Sequence, residues 1–271
     1  MHFKISSLAC AKRAKVAIGA SGKEELQRVL VSASEAQQLG YAVVTVITDV
    51  ETPPPADVEV RVSRNPGRDL LLLLVEEKVD ACVRGCLAAK PFLNAVKELL
   101  LVDEILRGSL LETPEGELLL LGPVGIDEGS SLNERLEFAK LAVRFMQMLE
   151  CKPFIAVLSG GRLEDLGRIP EVDKMLAEGE FLASCLRKMD VEVFHPGILL
   201  EEALRRGANI VVAPNGIIGN LLFRSLSLVA GWTSYGAPVL TTSHAVVDTS
   251  RSRESYVEAI ALASALALRA E

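Results

Sequence analysis

Three turns rich in glycine, hydroxyl and guanidinium groups hold most of the chemistry this chain could do. They are Ser159-Gly160-Gly161-Arg162, then Pro214-Asn215-Gly216-Ile217-Ile218-Gly219-Asn220, then Asp248-Thr249-Ser250-Arg251-Ser252-Arg253. The first two follow apolar runs of strand composition, Phe154 to Leu158 and Ile210 to Ala213, and the third precedes the last helical stretch. In open parallel sheets, ligands bind beyond the carboxyl ends of strands, where turns expose backbone N–H groups and helix N-termini. Hydroxyls, amides, flexible backbone and guanidinium forks suit a phosphate or an acyl phosphate there. One such turn is commonplace in α/β proteins. Three of them read as an anion site rather than as plain loops.

Other chemistries fail on spacing. Gly19-Ala20-Ser21-Gly22-Lys23 resembles a P-loop but lacks the four-residue insertion between glycines and the Ser/Thr after the lysine. No Gly-x-Gly-x-x-Gly follows the first strand, which speaks against Rossmann-type dinucleotide binding. Gly-x-Ser-x-Gly is absent as well. His2 is terminal, while His195 and His244 have no nucleophile beside them and read as structural. Asp127, Glu128, Glu164 and Asp165 fall in loops. Capping and solvation explain all but Asp127, which could serve acid–base work or bind Mg2+. Five scattered cysteines (Cys10, Cys82, Cys86, Cys151, Cys185) form no Cys-x-x-Cys pair and have no His at zinc-ligand spacing. They read as buried free thiols of a reducing cytoplasm, and no metal site is expected.

An alternation of strands and helices must position these turns. Lys15 to Ile18 reads as a buried strand, followed by an amphipathic helix from Lys23 to Leu39 closed by Gly40. Ala42 to Thr48 is the next strand, Glu51 to Ala56 a proline-rich loop, and Pro66 to Glu77 a helix with proline in its first turn. Ala81 to Val83 is a strand that breaks at Gly85, and Lys90 to Leu101 is helical. This rhythm predicts a parallel sheet with right-handed crossovers. Ser109 to Thr113 and Glu117 to Leu121 flank Pro114-Glu115-Gly116 as an antiparallel hairpin. Past the loop Gly122 to Gly129, Ser131 and Glu134 offer a capping box for a helix reaching Glu150. Phe154 to Leu158 is then a strand and Val172 to Met189 a helix. Short strands follow at Val191 to Phe194, Ile210 to Ala213 and Val239 to Leu240, with a closing helix over Ser252 to Ala270.

The composition limits what such a molecule can meet. With 271 residues, nearly half hydrophobic and few aromatic, the chain fits buried parallel strands covered by helices. This length allows one large α/β domain or two lobes sharing a cleft, and a boundary at the Gly122 loop with a return crossing near Gly231 to Gly236 gives lobes of 1–121, completed by 234–271, and 122–233. A net charge of −7 speaks against a nucleic-acid partner, though a local basic pocket for a small anion remains compatible with it. The N-terminus lacks a signal peptide's order of regions. Leu70 to Val75 is apolar, but a bilayer span needs roughly 20 such residues. A cytoplasmic protein with no membrane partner is expected.

Longer stretches are similar to a known family. Ala208 to Asn220 resembles the phosphate acetyl/butyryltransferase segment in which a strand runs into Pro-Asp/Asn and then Gly-Asn. Val247 to Arg251 resembles that family's Asn-Asp-Leu-Ser-Arg stretch, Phe154 to Gly161 its Val-Ala-x-Leu-Ser turn, and Asp80 to Lys90 its Asp-x-x-Val-x-Gly turn. The order matches from Lys15 to the end. A nearer likeness is to the archaeal group called MtxX, or methanogenesis marker protein 4, through Gly122 to Gly129, Leu158 to Arg168 and Asp248 to Arg251.

The resemblance implies a two-lobed, three-layer α/β/α sandwich of the isocitrate/isopropylmalate dehydrogenase type, mostly parallel, with the hairpin inserted and a homodimeric assembly. In acyltransferases of this fold a CoA thiolate attacks an acyl phosphate, or phosphate attacks acyl-CoA. Carried over, Ser250 and Arg251 would bind the phosphoryl or carbonyl oxygens, with Arg251 stabilising the oxyanion. Asn215 and Asn220 would shape the acyl phosphate site with Gly216 and Gly219, beside the Ser159-Gly160-Gly161-Arg162 turn. The partner would be a small anion (phosphate, acyl phosphate or a CoA thioester), with CoA or phosphate entering as substrate and no tightly bound cofactor.

Two positions depart from the family. Its catalytic aspartate falls on Tyr256 or Val257, with Glu258 the nearest carboxylate. Its hydroxyl-rich turn after Asp-x-x-Val-x-Gly is Cys86-Leu87-Ala88-Ala89-Lys90 here, which loses hydroxyls but keeps positive charge at Arg84 and Lys90. Both changes retain an anion site and weaken the case for CoA-dependent transfer. Three function classes follow: an acyl or phosphoryl transferase, a methyltransferase or methyl-transfer accessory protein as the group's name implies, and a non-catalytic phospho-ligand binder. The acidic-x-Gly-x-Gly turn usual for S-adenosylmethionine is absent after the first strand.

Overall fold

Runs of β-branched and aliphatic residues form the strands of a computed structural model, which describes residues 3–53, 55, 57–251 and 253–267. In chain order the elements are α1 (Phe3–Lys12), β1 (Ala14–Ala20), α2 (Lys23–Gln38), β2 (Ala42–Thr48), β3 (Glu59–Val62), α3 (Pro66–Val75), β4 (Ala81–Val83) and α4 (Ala89–Leu99). Then come β5 (Ser109–Glu112), β6 (Leu118–Gly122), α5 (Leu132–Met148), β7 (Phe154–Leu158), α6 (Pro170–Leu186), β8 (Glu192–Gly197), α7 (Leu200–Arg205), β9 (Ile210–Val212) and α8 (Gly216–Arg224). The last are β10 (Thr233–Pro238), β11 (Ala245–Asp248) and α9 (Val257–Leu266). The chain divides into two units, Met1–Ile105 with Tyr235–Glu271, and Leu106–Ser234. The fold is a three-layer α/β sandwich on a mostly parallel sheet.

In the first unit the strand order is β3-β2-β1-β4-β11-β10. β1 runs parallel to β2 from Ala14↔Ala42 to Ala20↔Thr48, and β4 lies between β1 and β11, parallel to both. β10 pairs antiparallel with β11. Helices cover both faces, so β1 and β2 are buried almost throughout, which is why they read as continuous apolar runs. On one face Leu70, Leu71 and Leu74 of α3, with Phe92 and Val96 of α4, pack against Ala17, Ile47, Cys82 and Val246. Fully burying a side chain of this size contributes about 1.5–3 kcal/mol. On the other, α9 is buried along its length against α1 and α2. Lys12 Nζ donates to the carbonyls of Ala265 and Ala267, at 2.8 and 2.6 Å, satisfying the end of α9.

The second unit has the order β5-β6-β9-β7-β8. The hairpin forms as expected, Ser109↔Leu121 to Glu112↔Leu118, and groups with this unit rather than the first. β6, β9, β7 and β8 are mutually parallel. Leu121, Ala156, Leu158 and Val211 pack with Ala203, Leu204, Leu222 and Phe223 of α7 and α8. Phe138, Ala142 and Met146 of α5, with Leu176 and Leu182 of α6, are buried at the other face. Ser131 Oγ accepts the Glu134 N–H at 3.2 Å while Glu134 reaches back to the Ser130 N–H at 2.8 Å, so the expected N-terminus of α5 is capped one residue off the ideal box.

The differences from the sequence reading have local causes. α1 is an unforeseen helix held by α9, not by its own pattern. β3 is an exposed edge strand of alternating charge, too polar to read as a strand. The turn expected over Pro214 to Asn220 is helical from Gly216 onward, and that helix, α8, runs to Arg224. The strand expected at Val239 to Leu240 lies earlier, as β10, and β11 was not foreseen. The closing helix starts at Val257, not Ser252; Ser252 and the expected end at Ala270 lie outside the described residues. No helix among the described residues is long and apolar enough to cross a membrane.

Candidate functional site

In the first unit, β4 and β11 end side by side, Val83 opposite Val247, so the turns Arg84 to Ala88 and Asp248 to Arg251 leave the sheet together. Gly85 has φ +64, and a Cβ there would overlap the Gly19 carbonyl, so only glycine closes this turn. Thr249 Oγ1 donates to the Gly85 carbonyl at 2.7 Å. Arg84, expected to meet the anion, is buried instead as a strut. Its Nε pairs with Asp248, and its two terminal nitrogens donate to the carbonyls of Leu87 and Thr249.

Arg251 is placed differently. It is exposed, and its Nε donates to the Leu87 carbonyl at 3.3 Å, one residue before Ala88, the N-cap of α4. Its terminal guanidinium nitrogens have no partner among the described residues. α4 begins without a side-chain cap, so its first N–H groups remain available. Lys90, the second residue of that helix, is exposed and forms no ion pair among the described residues. The Arg251 guanidinium thus meets the backbone just before an uncapped helix N-terminus, with Lys90 in the first turn of that helix and Ser250 adjoining in sequence.

The position that the resemblance gives to a base is apolar. Tyr256 and Val257 are 0% and 6% exposed. The Tyr256 hydroxyl has no hydrogen-bond partner among the described residues, and burial pushes its phenol pKa up. Glu258 lies 3.5 Å from the Arg253 guanidinium, as an ion-pair partner.

In the second unit, the Asn215 to Asn220 turn is occupied by its own packing. Asn215 Oδ1 caps α8 by accepting the Ile218 N–H at 2.9 Å. A Cβ on Gly216 or Gly219 would overlap the carbonyls of Gly125 or Pro123, and Asn220 Nδ2 donates to the Val124 carbonyl at 3.0 Å. Gly216, Gly219 and Asn220 therefore lock the loop 122–129 onto α8, and Asn215 caps that helix. Beneath it Glu128 is buried, not solvated as expected. It accepts from Arg107 Nε at 2.6 Å, Arg107 N at 2.9 Å and Gly125 N at 3.2 Å. Burial pushes its carboxyl pKa up, with Arg107 opposing. Asp127 is exposed, 4.0 Å from Arg107. Asp165 does cap, accepting the Arg162 N–H at 2.9 Å, and that bond with the Arg168 pair lowers its pKa.

The Ser159-Gly160-Gly161-Arg162 turn follows β7, with Arg162 exposed and Ser159 buried. His195, which shows no nucleophile beside it in sequence, places Nε2 2.8 Å from Ser159 Oγ. The two are 36 residues apart, and the sequence signal was only Pro196-Gly197 inside a strand. Among the described residues no group of three or more His, Cys, Asp or Glu could hold a metal ion. All five cysteines are free. Cys82 and Cys86 are buried, but Cys10 is exposed, against expectation, because α1 turns it to the surface.

An α/β/α sandwich with glycine-rich turns at its strand ends is the fold of the phosphotransacylases. A branched-chain phosphotransacylase from Enterococcus faecalis superposes with a TM-score of 0.73 at 19% identity, over 93% of this chain and 98% of that one. A 4-hydroxythreonine-4-phosphate dehydrogenase from Klebsiella pneumoniae gives 0.65 at 13% identity, over 93% and 98%. At these identities the likeness is one of fold. No family model matches the chain. Among curated relatives, "Putative methyltransferase mtx subunit X" of Methanosarcina mazei is 39% identical over 97% of this chain and 93% of its own length. An uncharacterized methyltransferase of Methanopyrus kandleri is 45% identical over 78% and 84%. The chain belongs to the MtxX family.

Proposed function

We propose that this protein binds a phosphate-containing ligand, a phosphate ester, acyl phosphate or CoA-type molecule, with its anion held by Arg251, Lys90 and the N-terminus of α4. One observation carries this reading: the Arg251 guanidinium is fixed through Nε to Leu87 at the start of an uncapped helix, while its terminal nitrogens remain available. A guanidinium held this way offers a planar pair of donors, and a helix N-terminus favours the same charge. Slow acyl transfer at most goes with it, since Tyr256 and Val257 are buried where the fold's acyltransferases would supply a base.

A thermal-shift screen with phosphate, acetyl phosphate, CoA thioesters and S-adenosylmethionine tests the ligand class. A ligand at a hundredfold its Kd raises stability by about 2.7 kcal/mol. The phosphate-bearing compounds are expected to raise Tm. A shift with S-adenosylmethionine alone would instead favour the methyl-transfer reading suggested by the relatives' names.

A further inference from the structure

Ser159, His195 and Glu180 form a hydrogen-bonded chain within the second unit. Ser159 Oγ lies 2.8 Å from His195 Nε2, and His195 Nδ1 lies 3.3 Å from Glu180 Oε2. Serine, imidazole and carboxylate are the groups of a hydrolase triad, but their exposure is reversed. A hydrolase presents the serine and buries the carboxylate. Here Ser159 is 4% exposed, the imidazole 1%, and the carboxylate 54%. The chain therefore leads from solvent, at Glu180, to a hydroxyl inside the turn.

The backbone is shaped to hold it. β8 is an edge strand, and its pairing with β7 slips between Ala156↔Phe194 and Leu158↔Gly197, leaving one extra residue on β8 at His195-Pro196. Gly179 of α6 lies against the ring, where a Cβ would press on Nε2. Ser159 N donates to the Gly197 carbonyl at 2.9 Å, and Ile198 N to the Gly161 carbonyl at 3.0 Å, tying the turn to the bulge. The N–H groups of Gly160 and Gly161 have no partner among the described residues.

A serine hydroxyl has one proton to give. With Nδ1–H donating to Glu180, a neutral His195 presents a bare Nε2, which accepts a hydrogen bond from the Ser159 O–H. A protonated His195 donates from Nε2 instead, and the Ser159 proton is released toward the turn. We infer that His195 is a positioning residue that sets the donor sense of Ser159, so that an oxyanion binds at the Ser159-Gly160-Gly161 turn together with one proton taken up through Glu180. The phosphate class of ligand rests on the function proposed above.

The charged groups facing the ring are Glu180 on α6 and Arg187 just beyond it, themselves paired at 2.7 Å; β7 contributes only Ser159, and Gly179 beside the ring carries no charge. Burial outweighs Glu180, so His195 lies below its ordinary pKa and is neutral near pH 7 in the free protein. An oxyanion on Ser159 adds negative charge and raises it. Affinity must then fall as pH rises through the interval between the free and bound values.

Sulfate is the suitable probe, because it does not titrate between about pH 5 and 8, where histidine does. Calorimetry in buffers of different protonation enthalpy, on wild type, His195→Gln and Arg251→Lys, counts the protons. Wild type is expected to take up a substantial fraction of one proton per sulfate near neutral pH, His195→Gln none, and Arg251→Lys to retain the uptake. Sulfate binding without proton uptake, or with uptake unchanged in His195→Gln, overturns the inference and leaves the phosphate reading standing. No sulfate binding at all removes both. The chain has three histidines, so the His195 imidazole can also be titrated by NMR in wild type alone. Sulfate must raise its pKa, and an unmoved value contradicts the proposal even if His195→Gln fails to fold. Labelling of Ser159 by a fluorophosphonate would mark it as a nucleophile, again against the positioning role.

Discussion

Arg84 and Arg251 stand at the ends of adjoining strands and do opposite work. Arg84 is committed to Asp248 and two carbonyls, so Arg84→Ala breaks a buried ion pair and is expected to cost about 3–5 kcal/mol in urea denaturation. Arg251→Ala, at an exposed position, should stay within about 0.5 kcal/mol. His195 gives a pH signature even without ligand. Its folded pKa is lowered by burial, so the unfolded chain binds this proton more readily. Its contribution to stability is full above the unfolded value, about 6.5, and is lost as pH falls through the folded one. Denaturation midpoints of wild type should drop across that interval more steeply than those of His195→Gln. At this scale the sequence showed which groups were present but not which were spoken for. Exposure separates Arg84 from Arg251, and a fold-made contact joins Ser159 to His195, so neither can be read along the chain.

Elements were more legible where one signal dominated. β2 and β7 have the expected limits because contiguous aliphatic residues admit little else, and α5 starts where Ser131 offers a cap. α8 was hidden by glycines that read as a turn but serve close approach of the loop 122–129. Gly216→Ala is therefore expected to destabilise by about 1–3 kcal/mol or more, although alanine is the better helix former. Ser131→Ala should lose only the cap, about 1 kcal/mol. Urea titration of the two variants distinguishes a blocked approach from a lost hydrogen bond. α1 and β3 were not legible, since one depends on its partner helix and the other is an exposed edge.

For the whole molecule, family and fold agree, and the resemblance breaks at one position, where the fold's acyltransferases would supply a base. The order of turn motifs was enough to indicate the phosphotransacylase fold and the MtxX family, because strand-end turns are set by topology. The base position was not, because a single helix residue carries it. General-base catalysis contributes about 10²- to 10⁴-fold, and Tyr256 and Val257 are buried while Glu258 pairs with Arg253. Arsenate-dependent breakdown of acetyl-CoA should be slower than that of an authentic acetyltransferase by about that factor. Turnover within about tenfold, abolished by Glu258→Gln, would show that Glu258 is the base. Whether Arg251 holds the anion is decided by calorimetry with phosphate and acetyl phosphate on wild type and Arg251→Lys. Lysine keeps the charge but not the planar pair of donors, so wild type should bind and Arg251→Lys should bind several-fold more weakly. Equal affinity in the two proteins, or no binding to wild type, would contradict it.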